Sequence, residues 1–299
     1  MKKTSIVFLV ISVLLIVSGI LIKGQGEKMA EKENIKLFRQ ELTDEGDLIE
    51  TIEFSGEDVN KFFIELEETE VNIFGNSDKN YIEIINFSTL EYSAYPNNHT
   101  FNIKSDLISS LTGRAEGGKF SFNGVRDYVR FEEHNPDKRI NIYLTSDCSV
   151  KSFTLNITNG NINITDVDLL CDYNINLDTG DIKCSETPTA SLFMCTLKNG
   201  NVAINECFIK RTDIKIENGN ITFSTPSAYV YDYTVEAEAG KIVYNGETHQ
   251  GTFSIYNEEC NGDFNAHVGV GSVDIKTTDT QPVVPSTPTE NQPEETENA

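Results

Sequence analysis

Between Thr154 and Ile275 the chain repeats one pattern six times, in which alternating apolar and polar residues run up to a glycine and resume two positions after it. The repeated glycines are Gly160, Gly180, Gly200, Gly219, Gly240 and Gly271. Their spacings are 20, 20, 19, 21 and 31 residues, and the long last interval predicts an inserted segment. A fixed period of this length is typical of stacked supersecondary units.

Apolar residues fall at fixed positions around each glycine. Positions seven, five and three before it are apolar or aromatic in seventeen of eighteen cases, and Thr212 is the exception. Positions two and four after it are also apolar or aromatic, as in Ile162 and Ile164, while the residues between them are mostly Asn, Asp, Thr, Lys and Glu. This alternation predicts strands with one buried face and one solvated face.

Two all-β folds fit the alternation. The glycines could lie in two-residue turns of an antiparallel hairpin meander, or they could form the corners of coils that stack into a parallel β-solenoid. A type I′ hairpin turn needs positive φ at both central residues, which penalises Thr179 and Val270 in front of their glycines. A corner with positive φ at one site, as in a type II turn, accepts both residues. We therefore predict a parallel β-solenoid, with the hairpin meander as the alternative.

The solenoid would place equivalent residues above one another along each corner. Asn161, Asp181, Asn201 and Asn220 each follow a repeat glycine. Stacked Asn side chains can hydrogen-bond along such a ladder, and Asp181 leaves open whether the ladder is continuous. The open ends of a solenoid need covers. The candidate covers are the strand-like segments Ile49–Phe54, Phe62–Leu66, Val71–Phe74 and Tyr81–Phe87, and the segment Glu247–Gly262.

The amino-terminal residues differ from the repeats. Ile6–Ile22 is an apolar run of 17 residues behind Lys2 and Lys3, and no small-residue cleavage pattern follows it. At ~1.5 Å per residue, such a run falls inside the range that spans a bilayer. Residues 1–23 are therefore predicted to be an uncleaved signal anchor that leaves the rest of the chain outside the cytoplasm. A cleaved, secreted protein is the alternative.

The remaining residues fall into three segments. A charged juxtamembrane spacer is predicted over 24–48, and a β-solenoid repeat domain over 49–276, with its regular repeats in 150–276. From 277 to 299 the composition changes to Thr, Gln, Pro, Glu and Asn. Such a composition buries too little apolar surface to fold, which predicts a disordered tail.

Charge and cysteine content limit the possible partners. The formal net charge of −23 disfavours nucleic acids and anionic membrane surfaces, because both would be repelled. No P-loop or G-x-G-x-x-G phrase is present, and no cofactor is predicted. The cysteines are either packed thiols or bridges between neighbouring coils, and their spacings match no zinc site. They are Cys148, Cys171, Cys184, Cys195, Cys207 and Cys260.

Four aspartates are candidates for chemistry, because parallel β-helix enzymes that act on polysaccharides use clustered carboxylates. They are Asp166, Asp168, Asp178 and Asp181. Asp178 and Asp181 bracket a turn, where a simpler role is to satisfy backbone groups and solubilise a corner. The histidines share no spacing typical of a triad or a metal site. They are His99, His134, His249 and His267. The sequence thus predicts no catalytic residue and no metal ligand, with a carboxylate-dependent lyase or hydrolase as the alternative.

The repeat phrases carry a family resemblance. They read NITNGNINI, LDTGDIKC, LKNGNVAI and IENGNITF. Together with the export anchor and the acidic amino-terminal region, they resemble the bacterial "putative adhesin" family of envelope β-strand-repeat proteins, over roughly Ile49–Ile275. The resemblance implies a right-handed β-helix-like domain displayed outside the cell, and it offers no catalytic residues to carry over.

The expected function follows from the anchor, the repeats and this resemblance. We expect a non-enzymatic, single-pass protein of the bacterial cell membrane that binds an envelope component or a surface protein. An envelope-polysaccharide enzyme and an accessory protein in envelope-stress sensing are the alternatives.

Overall fold

The computed structural model describes residues 41–43, 47–87, 92–105, 137–186 and 190–278. The chain divides into two compact units, Met1–Gly46 and Asp47–Ala299. In the first unit the described residues contain strand β1 (Glu41–Leu42). The predicted signal anchor, most of the predicted spacer, and the predicted tail from residue 279 onward lie outside the described residues.

The described part of the second unit is built from strands. They are β2 (Leu48–Glu53), β3 (Lys61–Glu68), β4 (Glu70–Phe74), β5 (Tyr81–Ile85), β6 (Tyr92–Asn97), β7 (Thr100–Ser105), β8 (Arg139–Tyr143), β9 (Ser152–Asn159), β10 (Ile162–Thr165), β11 (Asp172–Thr179), β12 (Ile182–Ser185), β13 (Ala190–Asn199), β14 (Val202–Asn205), β15 (Ile209–Asn218), β16 (Ile221–Pro226), β17 (Tyr231–Tyr244), β18 (Glu247–Ile255) and β19 (Gly262–Thr278). A search of the described residues for a helix that is long and apolar enough to cross a bilayer finds none. The prediction of an all-β domain is confirmed.

The repeats stack as coils, each made of a strand, a glycine corner and a second strand. In front of the corners, β9, β11, β13 and β15 form in-register parallel pairs, and behind them β10, β12, β14 and β16 do the same. Ile157, Leu177, Leu197 and Ile216 are consecutive register partners. The strands on either side of Gly160 therefore pair with neighbouring coils, and the antiparallel hairpin meander is wrong for these repeats.

A complete coil precedes the first repeat glycine. β3 pairs in parallel with β9, and β4 pairs in parallel with β10. Thr69 takes the corner position, and its backbone N–H donates to the carbonyl of Asn159 at 3.0 Å. Two of the segments expected to form an irregular cover thus belong to the regular stack.

The amino-terminal end of the stack is covered by shorter strands. β7 pairs with β3 and β8 pairs with β4, both in parallel. Antiparallel strands follow on each side, with β6 on β7, β5 on β8, and β2 on β5. One sheet therefore runs through β2, β5, β8, β4 and β10, and this order brings together strands that are far apart in sequence.

The last two coils are out of chain order. β19 pairs in parallel with β15 and β16, and β17 pairs in parallel with β19. The predicted cover Glu247–Gly262 contains β18, which pairs antiparallel with β17. β19 reaches Thr278, opposite Pro226, two residues past the predicted domain end at 276. The coil that contains β19 therefore lies between the coil of β15 and β16 and the coil of β17, although both precede it in sequence. The long last glycine interval reflects this insertion.

Glycine is required at the corners of the six repeats for two reasons. Five of the six repeat glycines have φ between 140° and 150°, a region that is essentially restricted to glycine and lies beyond the +80° of a type II turn. A Cβ on Gly200 would also lie 1.7 Å from the carbonyl oxygen of Gly180. The expectation of positive φ is wrong at Gly240, because β17 runs through this position as a strand at the end of the column. Its Cβ would still lie 1.5 Å from the carbonyl oxygen of Gly271.

The inward residues form one hydrophobic core that extends through all the coils. The position seven before each corner forms a column of register partners, which we call the aromatic column. Its members in stacking order are Phe101, Phe62, Phe153, Tyr173, Phe193, Thr212, Phe264 and Tyr233. The ring of Phe153 is stacked between Phe62 and Tyr173, with centroid distances of 5.2 and 5.3 Å.

Thr212→Val is expected to stabilise the protein by about 1 kcal/mol. Thr212 interrupts the aromatic column, its side chain is fully buried, and its hydroxyl has no hydrogen-bond partner. Valine has the same shape and no polar group to desolvate. Urea unfolding measures the difference, with Thr222→Val on the outward face as a control expected within about 0.5 kcal/mol of wild type. A loss of stability in Thr212→Val would contradict the expectation.

Candidate functional site

Two of the four aspartates singled out from the sequence link neighbouring coils. The Asp178 carboxylate forms an ion pair with the Lys198 ammonium at 2.8 Å. Asp181 accepts hydrogen bonds from Asn201 in the next coil. Asp166 and Asp168 lie in the connection between β10 and β11. The geometry at Asp178 and Asp181 thus fits the structural role, because each carboxylate already contacts a neighbouring coil.

A hydrogen-bond ladder follows the corner. The side-chain oxygen of Asn161 accepts the backbone N–H of Asp181 at 3.0 Å, and Asp181 accepts that of Asn201 at 2.9 Å. In the same way, the side-chain oxygen of Asn201 accepts the backbone N–H of Asn220 at 3.2 Å, and that of Asn220 accepts the backbone N–H of Ser272 at 3.0 Å. The Asp181 carboxylate therefore continues the ladder instead of interrupting it, because only an acceptor oxygen is needed at each step.

Asp181→Ala is expected to lower the free energy of unfolding by about 1 kcal/mol. The change removes the acceptor of both the backbone N–H and the side-chain amide of Asn201, each at 2.9 Å. Asp181→Asn is the matched control, since an amide oxygen accepts the same bonds, and it should stay within about 0.5 kcal/mol of wild type. Chemical denaturation compares the three proteins. Equal losses in both variants would show that the charge, not the acceptor, matters.

The three described histidines do not form a cluster. The three in the described part of the chain lie on separate elements: His99 in the β6–β7 turn, His249 on β18 and His267 on β19. His267 lies between two carboxylates, 3.2 Å from Glu236 and 3.3 Å from Glu238. His134 lies outside the described residues.

None of the six cysteines forms a disulfide in the structure, and five of them are buried. Cys184 and Cys195 occupy inward positions of their coils, as predicted for packed thiols. The Sγ atoms of Cys184 and Cys207 lie 3.5 Å apart in the core. Burial raises the pKa of Cys171 and of Cys195 to about 12. These buried groups therefore behave as small apolar side chains.

Thiol labelling of the native protein is expected to modify Cys260 alone. Cys260 is the exposed cysteine, and desolvation together with the carboxylates of Asp232 and Asp263 raises its pKa. Because the thiolate is the reactive form, labelling should accelerate as the pH rises. Mass spectrometry after alkylation counts the modified sites, with Cys260→Ser as the control. Labelling of other cysteines before unfolding would contradict the burial seen here.

The outward face of the sheet near its amino-terminal end carries an aromatic row, which consists of Phe74, Tyr143 and Tyr81. These residues are register partners on β4, β8 and β5. Ring centroids are 5.1 Å apart for Phe74–Tyr143 and 4.3 Å for Tyr143–Tyr81, with interplanar angles of 25° and 12°. On β2 the next position in the row is Glu53. Three stacked, half-buried rings on a solvent face are unusual for a position that the alternation assigns to polar residues.

A chain of hydrogen bonds runs beside the aromatic row. Asn163 donates to Asn72 at 2.8 Å, Asn72 donates to Asn141 at 3.0 Å, and Asn141 donates to the Glu83 carboxylate at 3.0 Å. The Tyr143 hydroxyl donates to the same carboxylate at 3.3 Å. Burial, with Glu83 as the next cause, raises the pKa of Tyr143 to about 12. The phenol therefore stays a neutral donor at physiological pH, and its ring is held in place.

An acidic groove lies at the end of the aromatic row. It encloses about 540 Å³ and is lined by Glu53, Phe54, Asp78, Asn80, Thr145 and Asp147, together with Ser55 and Lys79. Asn80 and Thr145 are joined by hydrogen bonds: the Asn80 amide donates to the Thr145 hydroxyl at 3.0 Å, and the Thr145 backbone N–H donates to the Asn80 side-chain oxygen at 2.9 Å. The Lys79 ammonium lies 3.6 Å from the Glu53 carboxylate. Three carboxylates against one ammonium give the groove a negative charge that favours neutral or cationic ligands.

Sequence reasoning missed the row and the groove. The detectable signal was an aromatic residue two positions from an amide or carboxylate, as in Asn72–Phe74, Tyr81–Glu83 and Asn141–Tyr143. Each pair looks like an ordinary outward-facing strand segment. The three pairs become one surface only when β5 and β8 are placed beside β4, which the period of the repeats does not predict.

Solved structures resemble this chain at low sequence identity. A "putative cell adhesion protein" from Clostridium sporogenes is 17% identical with a TM-score of 0.45, covering 77% of this chain and 99% of that one. A "putative adhesin" from Bacteroides fragilis is 12% identical with a TM-score of 0.34, covering 76% and 97%. A "putative lipid binding protein" from Parabacteroides distasonis is 11% identical with a TM-score of 0.32, covering 77% and 97%.

Comparison with curated proteins finds no matching sequence. A family model does match, over residues 43–291. This range contains every coil of the stack, the aromatic row and the acidic groove. The family resemblance seen in the repeat phrases is confirmed: the chain belongs to the Toastrack DUF4097 family.

Proposed function

We propose that this protein is a non-enzymatic, adhesin-like binding protein of the bacterial cell envelope. Residues 1–23 hold it in the cell membrane as a single-pass anchor, and the domain from residue 49 to 276 lies on the extracytoplasmic side as a right-handed β-solenoid. The apolar run Ile6–Ile22 behind Lys2 and Lys3 supports the anchor. Family membership and the repeat pattern support the rest.

The observation that carries the binding role is the aromatic row beside the acidic groove. Aromatic rings joined to a few fixed polar groups are typical of ligand sites. The rings are held by stacking and by the bond from Tyr143 to Glu83, so little side-chain entropy is lost when a ligand binds. The carboxylates at Asp178 and Asp181, by contrast, are occupied by Lys198 and Asn201.

Binding is tested with the full-length protein in detergent, by co-sedimentation with insoluble bacterial cell-wall material. We expect wild type to sediment and Tyr81→Ala and Tyr143→Ala to remain largely in solution. Tyr256→Ala is the matched control, because Tyr256 is 76% exposed and lies outside the row. Binding that survives loss of the row, or no sedimentation of wild type, would refute the proposed role of this surface.

The anchor is tested by fractionation and amino-terminal sequencing of the protein made in a bacterial cell. We expect the intact amino terminus in the membrane fraction, and protease added to whole spheroplasts should degrade the domain. A mature protein that begins after residue 23 would refute the anchor and favour the secreted alternative.

A further inference from the structure

The open end of the aromatic row points to a particular kind of ligand. The three rings of the row are nearly parallel, and the next strand, β2, contributes Glu53 where a fourth ring would continue the stack. Tyr143 covers one face of the Tyr81 ring. On the side of β2, the register partner of Tyr81 is Glu53, which lines the acidic groove. A flat or puckered ring of a ligand can extend the stack at this position.

We propose that a sugar residue that carries a protonated amine, as in envelope glycans with free amino groups, binds on the β2-facing side of the Tyr81 ring, with the exposed Glu53 side chain turned toward the groove. This inference rests on the proposed binding function and specifies its ligand. The C–H face of the sugar packs on Tyr81, and the ammonium group lies between the ring and the groove carboxylates.

Charge selects the amine. Glu53, Asp78 and Asp147 line the groove with Lys79 as the opposing charge. The Glu53 and Lys79 side chains are 71% and 73% exposed, so their ion pair at 3.6 Å is weak and can be exchanged for a ligand ammonium. The negative face of the Tyr81 ring attracts the same cation. Acidic glycans are disfavoured, because both the groove and the chain, with its net charge of −23, repel them.

Shape and polarity select a sugar. The groove volume of about 540 Å³ is within the usual range of small-molecule sites. Its wall carries alternating donors and acceptors, because the Thr145 hydroxyl donates to Asp147 at 2.5 Å and accepts from Asn80 at 3.0 Å. Such groups complement the hydroxyls of a sugar ring.

The test is isothermal titration of the full-length protein with two glycans of equal length, glucosamine oligomers and N-acetylglucosamine oligomers. The two share their rings and differ in the charged amine. We expect the glucosamine oligomer to bind more tightly and its affinity to fall as salt is raised from about 0.05 M to about 0.5 M. Tyr81→Leu and Glu53→Gln should each weaken it about five-fold, Lys79→Ala should strengthen it, and Tyr256→Ala should leave it unchanged.

The outcomes separate this inference from the proposed function. Equal affinity for both oligomers, still lost in Tyr81→Leu, overturns the amine preference and leaves the binding function standing. Absence of binding to both oligomers, with cell-wall sedimentation that still depends on Tyr81, overturns the sugar class alone. If the Tyr81 substitutions change neither the sedimentation nor the titration, the site and the proposed function are overturned together.

Discussion

Gly200→Ala is expected to prevent the second unit from folding. The new Cβ would lie 1.7 Å from the carbonyl oxygen of Gly180, a backbone atom that cannot move away without separating two coils. Gly200 also has a φ of 144°, which alanine rarely adopts. We expect a loss of more than about 4 kcal/mol, seen as insoluble or protease-sensitive protein without a cooperative unfolding transition.

Gly246→Ala separates the steric clash of the new Cβ from the conformational penalty of positive φ. Gly246 has a φ of 89°, and a Cβ there would have no atom within 4 Å. This variant therefore carries only the conformational penalty, about 1 kcal/mol, and should fold. If Gly200→Ala unfolds at the same denaturant concentration as Gly246→Ala, the close approach of the coils at the corner is not as tight as described.

Phe153→Ala is expected to lower the free energy of unfolding by about 3–5 kcal/mol. The fully buried ring lies between Phe62 and Tyr173, with interplanar angles of 4° and 8°. Its removal leaves a cavity that the neighbouring coils cannot fill, because parallel backbone hydrogen bonds fix their spacing on both sides. Guanidinium unfolding monitored by circular dichroism measures the change.

Two variants show whether this loss comes from the cavity. Phe153→Leu retains most of the volume and should cost less than half as much as Phe153→Ala. Tyr256→Ala removes an aromatic ring that is 76% exposed and should stay within about 0.5 kcal/mol of wild type. A Phe153→Ala protein as stable as Tyr256→Ala would contradict a continuous packed core.

The stacked coils could be predicted from the sequence because the corner leaves a local signal. Each of the glycine corners excludes a side chain, and each strand has one solvated face, so glycine and alternation recur together. The first coil was missed since Thr69 occupies its corner and interrupts the glycine series. The exchange of the last coils leaves no signal, because Val235 and Ala266 are equally suited to either place.

The candidate site could not be predicted for a different reason. Phe74 and Tyr143 are 69 residues apart, and Tyr81 joins them through an antiparallel strand. Alternation separates inward from outward positions, but it does not say which outward residues of distant strands become neighbours. Of the four aspartates that sequence analysis selected, Asp181 is a member of the ladder and Asp178 forms an ion pair, as their turn positions indicate.

The exchanged order of the last coils bears on how the chain folds while it is synthesised. Each coil up to Pro226 can add to its predecessor as soon as it emerges, but β17 must wait, because β19 occupies the edge of β15 and β16. That edge consequently remains available to other polypeptides until translation has passed Thr278. We expect nascent chains truncated before β19 to aggregate, and chaperones to matter most during this interval.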